Sequence, residues 1–187
     1  MKIKNQLTRF LLVLLTMVFA LSCGQSPDTK SQEEHEHTDG MDHNVAGIDS
    51  AGKSNKDDEQ ERVKAVLRAY KSALENLNVE GTGKLFTSQS EILETGKVEG
   101  TYQDYIAHHI GPELGHFKSF TYNDYKVSVI VDGDYAFSTE TYNYVIVLKE
   151  GDKTIERQGA ATSVLHKEDG QWKIMKAHNS SRAPKKK

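Results

Sequence analysis

Side chains able to share one piece of chemistry are densest in a single stretch: Tyr105, His108, His109, Glu113 and His116. Imidazole and carboxylate together suit a borderline metal such as zinc or copper. An imidazole set in an apolar pocket can instead act as a general acid or base, because burial tunes its pKa toward working pH. On a helix His109 shares a face with Tyr102, Tyr105 and Ile106, while His108 points elsewhere. His116 follows Gly111-Pro112 and could fold back beside them, and His178, near the end of the last predicted strand, could approach from the sheet. Three readings stand. His109, His116 and His178 bind a metal with Glu113 as ligand or outer partner; one histidine moves protons beside Tyr102 and Tyr105; or the histidines are structural. No H-E-x-x-H spacing is present and no partner carboxylate is fixed, so the structural reading carries the most weight.

A second set lies on a predicted strand, where Glu140, Tyr142 and Tyr144 alternate onto one face. A glutamate buried between aromatics would have a raised pKa and could serve in a pocket. The expected arrangement is nonetheless a solvent-facing Glu140 flanked by surface tyrosines. A third set, His35, His37 and His43, is interspersed with Glu33, Glu34, Glu36 and Asp42. It could bind copper or zinc, but its loose spacing imposes no geometry, and a solvated tether is the simpler reading.

The chain opens with Lys2, Lys4 and Arg9, followed by an apolar run from Phe10 to Leu21 and then Ser22-Cys23-Gly24. This is the order of a secretory signal peptide. The run is shorter than the roughly 20 residues a bilayer span needs. Cys23, the single cysteine, cannot form an internal disulfide. Placed directly after such a run it resembles the bacterial lipobox, although Leu21 stands two residues before the cysteine rather than three. That resemblance implies cleavage before Cys23, acyl chains on it, and attachment to a membrane of the cell envelope outside the cytoplasm. Several acyl chains would anchor firmly.

Residues 1–22 are thus expected to be the signal peptide, 23–56 a lipidated cysteine and disordered His/Glu-rich tether, 57–182 one folded domain, and 183–187 a basic tail. A formal net charge of -3 is too mild to point to nucleic acid. No P-loop, dinucleotide fingerprint or G-x-S-x-G elbow occurs, which argues against nucleotide users, common redox enzymes and common hydrolases.

Within the domain, Asp57 or Asp58 can cap a helix whose stripe is Val63, Val66, Leu67, Tyr70, Leu74 and Leu77, ended by Gly81 and Gly83. A helical turn over Lys84-Leu85-Phe86 and a short strand over Glu91–Glu94 follow. Thr101 to Asp104 reads as a capping box opening a helix through His109, which Gly111-Pro112 stops or kinks. The remainder is strand: 117–131, 135–148, 154–166 and 172–180, joined by tight turns at Gly133, Gly151 and Gly170 in an antiparallel meander. Trp172 is assigned to the core, and the mixed polarity of both faces around it predicts a bulge that switches register. Helices first and strands afterwards make an α+β domain with helices packed on a curved sheet.

The segment Gly159 to Leu165, then Asp169-Gly170-Gln171-Trp172-Lys173-Ile174, then His178-Asn179-Ser180-Ser181 resembles the closing strands of the nuclear transport factor 2-like, or SnoaL-like, family. The resemblance covers about 57–184. It implies a sheet curled into a cone around a pocket, often a homodimer through the outer sheet face, and a fold shared by isomerases, cyclases, dehydratases and ligand binders. Its isomerases use an aspartate base with tyrosine and protonated-carboxyl donors, a constellation not matched here residue by residue. The leading expectation is a non-catalytic module holding a small ligand. Copper or zinc handling, and an isomerase-type enzyme using a pocket histidine or glutamate, are the alternatives.

Overall fold

The computed structural model describes residues 49–185, and the side chains of residues 55–185. The first helix, α1, spans Asp49–Glu75. It begins ahead of the expected cap at Asp57 or Asp58, so 49–56, expected as the end of a disordered tether, are helical: residues 55–58 are exposed, and an apolar stripe that starts only at Val63 cannot report turns that bury nothing. Val63, Leu67, Tyr70 and Leu74 are buried as the periodicity requires. The helix also ends earlier than Gly81. Leu77 takes the left-handed conformation, φ 54°, and the Leu77 and Asn78 amides donate to the Leu74 and Ala73 carbonyls, both at 3.0 Å, which is a Schellman ending. A leucine stands where glycine is usual, its side chain packed on the core.

A three-ten turn, Thr82–Leu85, leads into β1, Phe86–Glu94. A tight turn at Thr95 and Gly96, both at positive φ, returns the chain as β2, Lys97–Gly100, a strand without the period-two signal to announce it. The capping box forms as expected: Thr101 accepts from the Asp104 amide while Asp104 accepts from the Thr101 amide. Helix α2, Tyr102–Tyr105, runs through a π turn at Ile106–Ile110 into α3, Gly111–Leu114. Gly111-Pro112 thus coincides with a change of helical pitch and not with the helix end, since Pro112 lies in the first turn of α3.

Strands β3 (Phe117–Asp132), β4 (Tyr135–Leu148), β5 (Thr154–Glu168) and β6 (Gln171–Arg182) form the meander. Sheet order is β2-β1-β6-β5-β4-β3. The sheet is not antiparallel throughout, because β1 pairs parallel with β6. That crossover pairs residues 85 to 88 apart in sequence (Glu91 with Lys176, Phe86 with Ile174) and leaves no local mark in the sequence. The expected bulge lies between β5 and β6, where Leu165 faces Ile174 but Val164 faces Lys176, leaving Met175 extra. It turns Trp172 and Ile174 inward, and then Ala177.

The core fills the space between α1, the second helical segment and the concave face. Phe86 stacks on Tyr102 at 3.5 Å and 8°, with Tyr70 edge-on to both. Trp172 is buried, and its indole N–H donates to Glu59 of α1 at 2.6 Å, a tie between helix and sheet.

Candidate functional site

Lys71 follows Tyr70 on the buried face of α1 and is only 7% exposed. Its ammonium lies 4.5 Å from the ring centre of Tyr142, 5.2 Å from Tyr122 and 5.8 Å from Tyr70, within the range of cation–π attraction. Its nearest carboxylate is Glu140, at 3.7 Å, too long for a hydrogen bond. Glu140 is 2% exposed and accepts from the Tyr125 hydroxyl at 2.7 Å. Burial lowers the Lys71 pKa, with Glu140 opposing the shift. Burial also raises the phenols of Tyr70, Tyr105, Tyr122 and Tyr142, so they remain proton donors. The expected solvent-facing Glu140 is therefore corrected. Because β3 and β4 curl toward α1, the face that carries Glu140 and Tyr142 is the concave one.

Lys71 borders a cavity of about 80 Å³. One wall is apolar, with Leu74, Ile110, Phe117, Phe120 and Ile146; five tyrosines, Glu94, Glu113 and Asn179 to Ser181 complete it. On its other side Lys71 borders, with Glu140 and Ser163, a void of about 10 Å³, the room one water needs. Gly159 holds one wall in place. It pairs with Tyr142 across β4 and β5, and a Cβ at this position would overlap the Tyr142 ring. The missing side chain lets the ring lie against the sheet beside Lys71.

At the cavity rim the Tyr105 hydroxyl donates to Glu94 at 2.6 Å. The His109 ring lies 5.0 Å from that of Tyr105. Its Nδ1 is 3.2 Å from Glu99, and its Nε2 is 3.5 Å from Glu113 and 3.8 Å from Glu94. Partial desolvation of the half-exposed Glu113 raises its pKa; His109 opposes this and Glu94 and Glu99 add to it.

Of the residues singled out in the sequence, Tyr105, Glu113 and Glu140 belong to this region, with His109 at its edge. Tyr102 does not: it is core, stacked on Phe86, with its hydroxyl 2.7 Å from that of Thr82. His178 is exposed and paired with Leu93 and Thr162 on the outer face. The bulge at Met175 sets that orientation and sends Asn179 into the cone instead. His116 is exposed at the end of α3. Among the described residues no three His, Cys, Asp or Glu side chains are grouped to hold a metal, so His109, Glu113, His116 and His178 do not assemble as a ligand set. Cys23, His35, His37 and His43 lie outside the described residues. Sequence reasoning missed Lys71 altogether. The one sequence signal is its position, one residue after Tyr70 and four after Leu67, at the edge of the buried stripe, where a lysine ordinarily reads as solvated.

The SnoaL-like domain family matches residues 63–184. No curated protein matches the chain. Among solved structures, a candidate dehydratase of the NTF2-like family from Streptomyces avermitilis superposes with a TM-score of 0.61 at 17% identity, over 69% of this chain and 99% of that one. A ketosteroid isomerase-like protein from Erwinia carotovora atroseptica gives 0.58 at 16%, over 67% and 98%. A candidate ketosteroid isomerase from Shewanella frigidimarina gives 0.54 at 28%, over 64% and 94%.

Proposed function

The chain belongs to the SnoaL-like domain family, and we propose that its cone is a receptacle for a small ligand whose oxygen acceptor meets Lys71. The carrying observation is that Lys71, more than nine-tenths buried, borders the cavity with its nearest carboxylate 3.7 Å from the ammonium, beyond hydrogen-bond distance. A charged donor lining a cavity, with its protein carboxylate beyond hydrogen-bond distance, favours a ligand that supplies an acceptor. The cavity is far smaller than the roughly 300–1,000 Å³ of a drug-sized site, which favours a ligand of few heavy atoms between tyrosine faces. Titrating small ketones, aldehydes and carboxylic acids into the whole chain, followed by NMR, tests this: the Tyr142, Tyr144 and Ser180 signals should move together. Shifts confined to the outer face would refute the reading.

A second reading, acid–base catalysis, is supported by the short hydrogen bond from Tyr125 to Glu140 Oε2, the oxygen nearest Lys71. Turnover of any fragment that binds would favour it over storage or transport.

Attachment to a membrane of the cell envelope through lipid on Cys23 is proposed from the Phe10 to Leu21 run and the small residues around Cys23. Among the described residues no helix is long and apolar enough to cross a membrane. Palmitate labelling lost in Cys23→Ala tests it. A homodimer through the outer sheet face is proposed from Ile130 and Phe137, cross-strand partners exposed by 63% and 49%. Sedimentation of Phe137→Lys as a monomer, against a dimeric wild type, would support it.

A further inference from the structure

We propose that Lys71 captures a small aldehyde or ketone inside the cone as a reversible imine; this rests on the receptacle reading and specifies its ligand. The geometry is that of a primary amine at the end of a small cavity, walled by tyrosine rings and backed by a carboxylate. Amines that form imines in proteins are desolvated so that the neutral form is available, and Lys71 meets that condition through burial on α1. Glu140, 3.7 Å away, can take the proton that the ammonium must lose. The Tyr125 hydroxyl donates at 2.7 Å to Glu140 Oε2, the same oxygen that lies 3.7 Å from the Lys71 nitrogen, and so fixes the carboxylate beside the amine.

The step balances without an oxidant or reductant. The ammonium gives one proton to Glu140. The amine lone pair attacks the carbonyl carbon, the C–N bond forms, and the carbonyl π bond opens onto oxygen. Proton transfers from the attacking nitrogen and from Glu140 convert that oxygen to water, which leaves as the C=N bond closes. Water re-entering through the open end reverses the sequence and releases the carbonyl compound. The cavity of about 80 Å³ suits a short carbonyl compound and excludes fused ring systems unless the tyrosines move.

The test treats the whole chain with propanal and cyanoborohydride near neutral pH and maps the alkylated lysines over time. The proposal expects Lys71 to be labelled ahead of Lys97 and Lys118, whose side chains are 71% and 61% exposed, and expects Lys71→Arg to lose that first site. The comparison among lysines within the wild type holds even if the variant folds poorly. A parallel NMR titration with propanal and no reductant separates the two levels. Shifts at Tyr142 and Tyr144 with Lys71 labelled no faster than the exposed lysines overturn the imine and leave the receptacle. Neither shifts nor preferential labelling overturns both.

Discussion

The Lys71 ammonium and the Glu140 carboxylate lie 3.7 Å apart in the interior of the cone, one on the helix and the other on the sheet. Both are more than nine-tenths buried. A pair of this kind does little for stability compared with apolar residues of similar size, but removing one member leaves a buried charge uncompensated, which costs about 3–5 kcal/mol. Glu140→Gln should therefore destabilise the fold by an amount near the low end of that range, because Lys71 retains its tyrosine faces. Combining it with Lys71→Met should recover part of the loss. Urea denaturation of the two single variants and the double variant measures the coupling; additive losses would contradict it.

Stability should also depend on pH through Lys71. Burial places its folded pKa below the ordinary 10.5. Between the lowered value and 10.5 the unfolded chain holds a proton that the folded chain has released, so stability rises with pH across that window and the full cost of the charged form is felt below it. Tyr70, Tyr105 and Tyr122, with raised pKa values, work in the opposite direction only as pH passes their ordinary 10.0. Subtracting the urea midpoints of Lys71→Met from those of the wild type removes the tyrosine contribution. The difference should move in favour of the wild type as pH rises from about 7 to about 10. A flat or falling difference would place Lys71 at an ordinary lysine pKa.

Gly159→Ala should be costly although glycine-to-alanine changes in strands are often neutral or favourable. The added methyl overlaps the Tyr142 ring, so Tyr142 must swing away from Lys71. Overpacking of this kind costs about 1–3 kcal/mol, and the Tyr142 ring signals should shift with it. Unchanged stability together with an unmoved ring would show that the ring does not lie against the backbone there.

The Glu59–Trp172 tie supplies a fourth prediction, with Trp172 as the chain's single tryptophan reporter. Lys167, 2.9 Å away, and the Trp172 N–H hold the Glu59 pKa below its ordinary 4.5. A lowered carboxylate pKa contributes stability that is full above 4.5 and lost as pH falls through the folded value. Glu59→Leu removes both contacts and should cost roughly 1–2 kcal/mol at neutral pH. Glu59→Gln should lose the acid-side dependence. Tryptophan fluorescence against pH and urea reads both, and an acid profile unchanged in Glu59→Gln would assign the dependence elsewhere.

Much of the frame was legible in residue patterns. The stripe from Val63 to Leu74, the Thr101 to Asp104 capping box, the four long strands and the register switch near Trp172 each have a local cause: periodicity, a side-chain cap, turn glycines, a face that changes polarity. The parallel β1–β6 pairing and the Leu77 helix ending were not legible, since the first depends on contacts distant in sequence and the second on tertiary packing that lets leucine take a left-handed conformation. The site was only partly legible. Glu140 and Tyr105 could be named, but no alternating pattern says which face of β4 is concave. Lys71 was hidden because a lysine beside an apolar stripe reads as solvated, and only the curl of β3 and β4 over α1 shows that it is enclosed. His178 and Asn179 differ by one register position, and a single bulge at Met175 decides which of them enters the cone.

The receptacle reading is tested most directly by a structure of the chain bound to whichever small carbonyl compound or carboxylic acid perturbs Tyr142 most strongly. The expected result is a ligand between the tyrosine rings, with an oxygen within hydrogen-bond distance of the Lys71 nitrogen or with that nitrogen bonded to its carbon. A ligand seated on the outer sheet face, or one in the cone that turns its apolar end to Lys71, would contradict it.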